Sequence, residues 1–294
     1  MSFLSGFVAI AGPPNVGKST LLNRILGRKI SIVSPKPQTT RNRITAVLNG
    51  EDFQLVFIDT PGIHKTKTAL HRSMVESAMA ALQEVDLVLL LIDAGRPNDP
   101  EIPPIIRRLH ASRKPAILVI NKMDLGPPER ALPVIEEFRS AYPFEAFLPV
   151  SALRGDGVQA LLGQIKAHLV PGPQFFPPDI STDQTEAFFI AEIIREKIFL
   201  RTRGDIPYAC AVTVDRIEER ERGDLLEIDA RIHVETENQK GILIGRQGKM
   251  IQSIGRAARL ELEKRFGIRV FLSLSVRVEK NWNKDTRALR RLGY

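Results

Sequence analysis

GPPNVGKS, residues Gly12–Ser19, follows the apolar run Phe7–Ala11 and leads into a helix-like segment from Lys18 to Leu26. Its spacing is GxxxxGK[ST], placed between a strand and a helix as that motif requires. Gly12 and Gly17 occupy the positions where the backbone must curl so that its N–H groups point inward at phosphate oxygens. Lys18 adds a point charge near the β- and γ-phosphates, and the Ser19 hydroxyl can coordinate magnesium. Asn15 and Val16 inside the turn and Thr20 after it complete the stretch expected to touch the nucleotide. The following helix aims its positive end at the same anion.

Three further segments follow in fixed order: DTPG at Asp59–Gly62, NKMD at Asn121–Asp124 and SAL at Ser151–Leu153. Asp59 ends a strand run, where a magnesium-side aspartate belongs. The Gly62 N–H is expected to sense a γ-phosphate, so that the loop after it orders in the triphosphate state and relaxes on hydrolysis. Asp124 can accept hydrogen bonds from the ring N–H and amino group of guanine. Adenine offers neither there and would leave a buried carboxylate unpaired. Asn121 is expected to tie this loop to the phosphate loop, the Lys122 stem to cover the base, and the Ala152 N–H to meet the guanine carbonyl, with Ser151 and Leu153 beside it. NKxD alone is a common surface tetrapeptide. Behind the other two motifs, in this order, it specifies GTP and GDP.

The first half alternates strand runs with helical segments. Ile44–Leu48 and Phe53–Ile58 flank the hairpin signal Asn49-Gly50, and Leu87–Ile92, Ala116–Ile120 and Phe147–Val150 read as buried strands. Helices are expected near Leu70–Glu84, Glu101–Arg113, Glu129–Ala141 and Val158–His168. This alternation predicts an α/β domain over residues 1–171, a mostly parallel six-stranded sheet with helices on both faces. Val170–Asp179 carries four prolines, and residues 172–182 are expected to be an interdomain linker, pinned to one domain by Phe175 and Phe176.

Residues 183–294 have another rhythm. Ala187, Ile190, Ile194 and Ile198 mark an amphipathic helix, and Tyr208–Val214 and Leu225–Val234 read as strands joined by the polar, charged Arg216–Asp224. The GxxG tetrapeptide Gly245-Arg246-Gln247-Gly248 precedes a helix to about Phe266, and Arg269–Val278 alternates as a last strand. From Lys240 to Tyr294 there are 14 Lys and Arg against 4 Asp and Glu, a net of +10, whereas Thr182–Gln239 carries −6. Such concentration suits a polyanion, nucleic acid or an anionic membrane surface, though a solvated basic surface has the same composition. The longest apolar run, Leu87–Ile92, is too short to span a bilayer, and no signal peptide is expected. The single cysteine, Cys210, lies in an apolar run and points to a buried side chain in a cytoplasmic protein.

These motifs, with TTR at Thr39–Arg41, the GxxG helix, Asn281-Trp282 and the closing ALRRLGY, resemble the Era family, Ras-like P-loop GTPases with a C-terminal KH domain. The resemblance covers nearly the whole chain and implies a Ras-like sheet followed by an α+β type II KH domain. It implies binding near the 3′ end of small-subunit (16S) ribosomal RNA, a role in assembly of that subunit, and peripheral contact with the inner membrane; a monomer is expected. It also implies Thr40, directly before Arg41, as the second magnesium ligand beside Ser19 and Asp59, with Lys18, Thr40 and Gly62 as the catalytic set. Pro13 departs from the basic residue common there, at a position that anchors nothing.

Ras-like enzymes place the attacking water with a glutamine just after DxxG. Here that position is Ile63, which predicts slow hydrolysis by the isolated protein. His64 reads as a solvated loop histidine. Asn15 has two readings: it helps hold a potassium ion beside the phosphates, or it serves loop geometry. In the KH half, Gly245–Gly248 lets RNA phosphates approach the backbone, Arg246 and Lys249 add charge, and Ile244 and Ile251 would line an apolar groove for bases. Trp282 either stacks on a base or anchors the tail. The rival reading is a membrane-surface GTPase that regulates growth or division, its basic tail on anionic lipid.

Overall fold

A computed structural model describes residues 2–37, 39–59, 70, 74, 84–220 and 223–294. Gly62, Ile63, His64 and most of the helix expected at Leu70–Glu84 lie outside the described residues. Apart from Leu70, which groups with the second, the described residues divide between Asp183 and Gln184 into two compact units.

In the first unit, β1 (Leu4–Ala11) sits between two parallel neighbours, β3 (Phe53–Asp59) and β4 (Leu87–Asp93). Outward from these lie β2 (Ile44–Asn49), antiparallel to β3, and β5 (Ala116–Asn121) and β6 (Ala146–Pro149), both parallel, giving the order β2-β3-β1-β4-β5-β6. A two-residue strand, β7 (Val170–Pro171), pairs antiparallel with the start of β1 and makes a seventh. The runs LVLLL of β4 and AILVI of β5 are buried throughout, because helices cover both faces of a parallel sheet. Those described are α1 (Lys18–Leu26), α2 (Ile102–Ser112), α3 (Ala131–Arg139) and α4 (Val158–Ala167). Each buries a Leu, Ile, Val or Phe stripe, worth about 1.5–3 kcal/mol per side chain removed from water. The register sets Ile10 beside Asp59 and Asp93 beside Asn121, so the chemically active residues gather at the carboxyl ends of the strands.

The proline-rich stretch 172–182 is packed on this unit along the β2–β3 edge. Prolines lack N–H donors, and the side chains of Gln54 and Asn49 compensate. Gln54 is fully buried; its amide donates to Phe176 O (2.8 Å) and its carbonyl accepts from the N–H groups of Phe175 and Phe176. Asn49 donates to Pro178 O and Ile180 O. The Val47 N–H reaches Ser181 O, and the ring of Phe175 lies 4.7 Å from that of Phe7.

The second unit begins with α5 (Glu186–Arg201), whose N-cap Thr185 accepts from the Phe188 N–H. A three-stranded sheet follows, β8 (Ala211–Glu219), β9 (Leu225–Val234) and β10 (Arg269–Val278), in the order β10-β9-β8. Between β9 and β10 run α6 (Glu237–Ile244) and α7 (Lys249–Phe266), and α8 (Thr286–Arg291) ends the chain. Strand β9 pairs antiparallel with β8 and parallel with β10. Three expectations need correction. The first strand starts at Ala211 rather than Tyr208, because Tyr208 and Ala209 close a turn on Asp205 O. The charged residues read as a connection from Arg216 are strand as far as Glu219: past a bulge at Val214–Arg216, Arg216 pairs with Asp229 (2.9 Å) and Glu218, and Arg220 with Glu227. Helix α5 is buried well beyond an apolar stripe, because Arg195 pairs with Glu192 (2.6 Å) and Lys197 with Glu196 and Glu261. Cys210 is buried, and Trp282 is fully buried with its indole N–H on Ala209 O (3.2 Å), an anchor for the tail against Tyr294.

Candidate functional site

The phosphate loop leaves β1 at Ala11 and enters α1 at Lys18. Gly17 has φ +100°, and a Cβ there would stand 2.3 Å from the Asn121 amide nitrogen, so no side chain fits. Asn15, at φ +62°, donates to Pro35 O (3.1 Å), which ties the loop to the stretch before Thr39. Lys18 is buried, and its ammonium donates to Gly12 O and Pro13 O, both 2.9 Å. Burial pulls its pKa down to about 8, against the attraction of Asp59.

Asp59 is fully buried at the end of β3. One carboxylate oxygen accepts from Ser19 Oγ (2.8 Å) and Ser31 Oγ (3.0 Å), while the other has no partner among the described residues. Burial raises the Asp59 pKa, opposed by Lys18 and the hydroxyls around it. The Thr40 hydroxyl stands 2.9 Å from Ser19 Oγ. Thr39 points elsewhere, its hydroxyl bonded to Ser34 Oγ (2.7 Å) and Lys36 O (2.8 Å), a local turn. Two hydroxyls and one carboxylate, with one of its oxygens orphaned, form an all-oxygen donor set that fits magnesium.

The base-side loops interlock. Asn121 donates to Val16 O (2.7 Å) and accepts from the Ala152 N–H (2.9 Å), joining all three loops. The Ala152 N–H, expected to meet a guanine carbonyl, is thus engaged by Asn121. Ser151 Oγ donates to Asp124 Oδ1 (2.7 Å), and this bond, with weaker help from Arg154 and Arg130, holds the Asp124 carboxyl below the usual range. Lys122, in the left-handed conformation, pairs with Asp93 (2.8 Å). A cavity of about 270 Å³ is lined by Asn15, Gly17, Lys18, Ser19, Thr20, Thr40, Asn121, Lys122, Asp124, Ala152 and Leu153; Val16, Asp59 and Ser151 stand behind that wall. Three contributors were missed in the sequence. Ser31 completes the shell of Asp59, Arg24 donates to Ala152 O (3.2 Å) and Leu153 O, and Asp93 positions Lys122. None sits in a motif, and each acts through one tertiary contact.

In the second unit a capping box, Thr236 with Gln239, starts α6, which ends at Gly245. Gly245 has φ +71°, and a Cβ would lie 2.7 Å from Met250 Cβ, so the turn needs glycine. Gln247 is also left-handed at φ +53°, and Gly248 leads into α7. Arg246, Gln247 and Lys249 are exposed, and Ile244 and Ile251 are half-buried on either side of the turn. Backbone and cations therefore face solvent between two apolar flanks, as a phosphate-tracking turn requires.

Two family models match, a 50S ribosome-binding GTPase over residues 7–122 and a KH domain over residues 205–283. The chain is 52% identical to GTPase Era of Geobacter metallireducens, covering 99% of this chain and 98% of the relative. It is 49% identical to GTPase Era of Syntrophus aciditrophicus, covering 99% and 95%. Among solved structures, an Aquifex aeolicus Era variant bound to GDP and AlF4− matches with TM-score 0.96 and 40% identity over 100% of this chain and 99% of that one. Era in complex with MgGDPNP and nucleotides 1506–1542 of 16S ribosomal RNA matches with TM-score 0.96 and 40% identity over 99% of both. With the nucleotide loops and the GxxG turn present in one chain, and likeness running end to end, the protein belongs to the GTPase Era family.

Proposed function

We propose that this chain is a GTP-hydrolysing switch that binds small-subunit (16S) ribosomal RNA near its 3′ end and leaves the assembling small subunit after hydrolysis. The observation that carries this reading is Asn121, which locks a guanine-reading carboxylate loop to the phosphate loop in a chain that also presents an open GxxG turn. An Era relative bound to nucleotides 1506–1542, 37 in all, supports the RNA assignment. The 50S particle in one model's description concerns a match to residues 7–122; the relatives that match end to end weigh more.

At the nucleotide site, Lys18 and the loop N–H groups stabilise charge as water attacks the γ-phosphate. Ser19, Thr40 and Asp59 would hold magnesium, which supplies further charge neutralisation at the phosphates. Ile63 cannot orient the water, so turnover of the isolated protein is slow. Nucleotide state and RNA binding bias one another. A 16S 3′-end RNA is expected to bind the GTP-analogue form at least about fivefold more tightly than the GDP form, the lower end of typical coupling. Equal affinities in a fluorescence titration would end that part of the reading.

Asn15 lines the phosphate cavity, and we infer that it helps hold potassium there. GTP turnover is expected to be faster in potassium than in sodium buffer, and equal rates would leave Asn15 a purely geometric role. The chain is proposed to act as a monomer in the cytoplasm. No helix among the described residues is long and apolar enough to cross a membrane. Helix α8 exposes Arg287, Arg290 and Arg291, which suits peripheral contact with anionic lipid; liposome co-sedimentation in competition with RNA decides between the two polyanions.

A further inference from the structure

The sheet of the second unit has two faces. Leu274 lies on the face that α7 covers, close enough that a Cβ on Gly255 would meet it at 3.3 Å. Alternation along the strands puts Thr213, Arg231, His233 and Arg277 on the opposite face. Register sets Arg231 beside Thr213 and His233 beside Arg277. At that end the face sinks into a cavity of about 440 Å³, closed on one side by Arg291 of α8.

Three guanidiniums and two carboxylates meet there. Asp215 pairs with Arg231 (2.8 Å), and Glu279 pairs with Arg291 and with His233 Nδ1 (3.0 Å). Thr213 Oγ1 lies 2.9 Å from His233 Nε2. Arg277 is exposed at the cavity and has no ion pair among the described residues, so the cavity keeps one uncompensated cation. Burial first, then Arg231, Arg277 and Arg291, push the His233 imidazole down to about 4 against the opposing carboxylates Asp215 and Glu279. His233 is therefore neutral at pH 7, in a field that favours an anion. Guanidinium forks beside a hydroxyl and an imidazole are the chemistry that recognises phosphate oxygens.

We propose that this cavity is a second oxyanion site, one that takes a backbone phosphate of the bound RNA on the sheet face opposite α7. The assignment rests on the chain being an RNA binder. A GxxG turn clamps about four nucleotides, so a longer RNA has phosphates left for other cationic pockets. Arg277 is the side chain that engages the phosphate and supplies the net positive charge, while Arg231 and Arg291 offset Asp215 and Glu279.

Full-length protein should be titrated with two RNAs, a short unpaired strand that fills the GxxG groove alone and the same strand within a longer 16S 3′-end fragment. Arg277→Gln is expected to bind the short strand as wild type does and the long one about tenfold more weakly. The slope of log affinity against log salt for the long RNA should fall by about one, as for the loss of one phosphate contact. Arg277→Lys should keep that slope, which separates charge from folding. Inorganic phosphate should shift the His233 imidazole NMR signals saturably in wild type and not in Arg277→Gln. Unchanged affinity of Arg277→Gln for the long RNA overturns the proposal, and saturation by phosphate alongside it reassigns the cavity to a free anion. Failure of wild type to bind either RNA would instead strike the RNA-binding reading itself.

Discussion

Asp124→Asn is expected to lower GTP affinity by about a hundredfold or more and to raise affinity for XTP. Guanine presents two adjacent N–H donors to the Asp124 carboxylate, and each charge-assisted bond is worth about 1.5–3 kcal/mol. Asparagine keeps one acceptor but turns an NH2 group toward the amino group of guanine, donor against donor. Xanthine has a carbonyl at that position, and the same NH2 can donate to it. Ser151 Oγ, 2.7 Å from Asp124 Oδ1, can still donate to the amide oxygen, so the loop has no reason to rearrange. Competition of GTP and XTP for a fluorescent nucleotide gives the ratio directly. Retained GTP affinity in the variant would mean that another group reads the base.

Lys18→Ala should reduce GTP turnover by about 10²- to 10³-fold, the usual loss when one oriented donor to developing charge is removed. A thermal melt checks that the variant folds, since Gly12 O and Pro13 O lose their partner. The same lysine predicts a pH dependence. In the nucleotide-free protein its pKa lies at about 8 because burial disfavours the ammonium. Bound phosphates favour the ammonium and raise that value. Below pH 8 the group is charged in both states and affinity is flat. Above it, binding requires uptake of a proton, and GTP affinity should fall by up to about tenfold per pH unit. Titrations from neutral to alkaline pH at fixed magnesium would show this limb in wild type and lack it in Lys18→Ala.

Residues legible in the sequence are those whose chemistry fixes their spacing. The curl of a phosphate loop sets Gly17 and Lys18 side by side, so a regular spacing records it. Asp59 and Asp124 end or follow strand runs that burial makes apolar. Ser31 and Arg24 are different: each reaches its partner across 28 and 128 residues or more, respectively, and nothing nearby in sequence marks the contact. The charged end of β8 misled for a related reason. Arg216, Glu218 and Arg220 read as solvated connection because their partners, Glu227 and Asp229, lie on the next strand. Thr39 and Thr40 cannot be separated by composition; only the direction of each hydroxyl separates them.

The proline-rich stretch has a practical consequence for anyone cutting this protein apart. A fragment ended at Pro171 would strip the outermost strand, β2, of its cover and strand the amide of Gln54, at about 1–3 kcal/mol for each buried group left unmade. An open rim of that kind templates edge-to-edge association. Carried through Asp183, the fragment should stay monodisperse in size-exclusion chromatography, whereas the shorter one should aggregate. What looks like a tether is also a seam sealant.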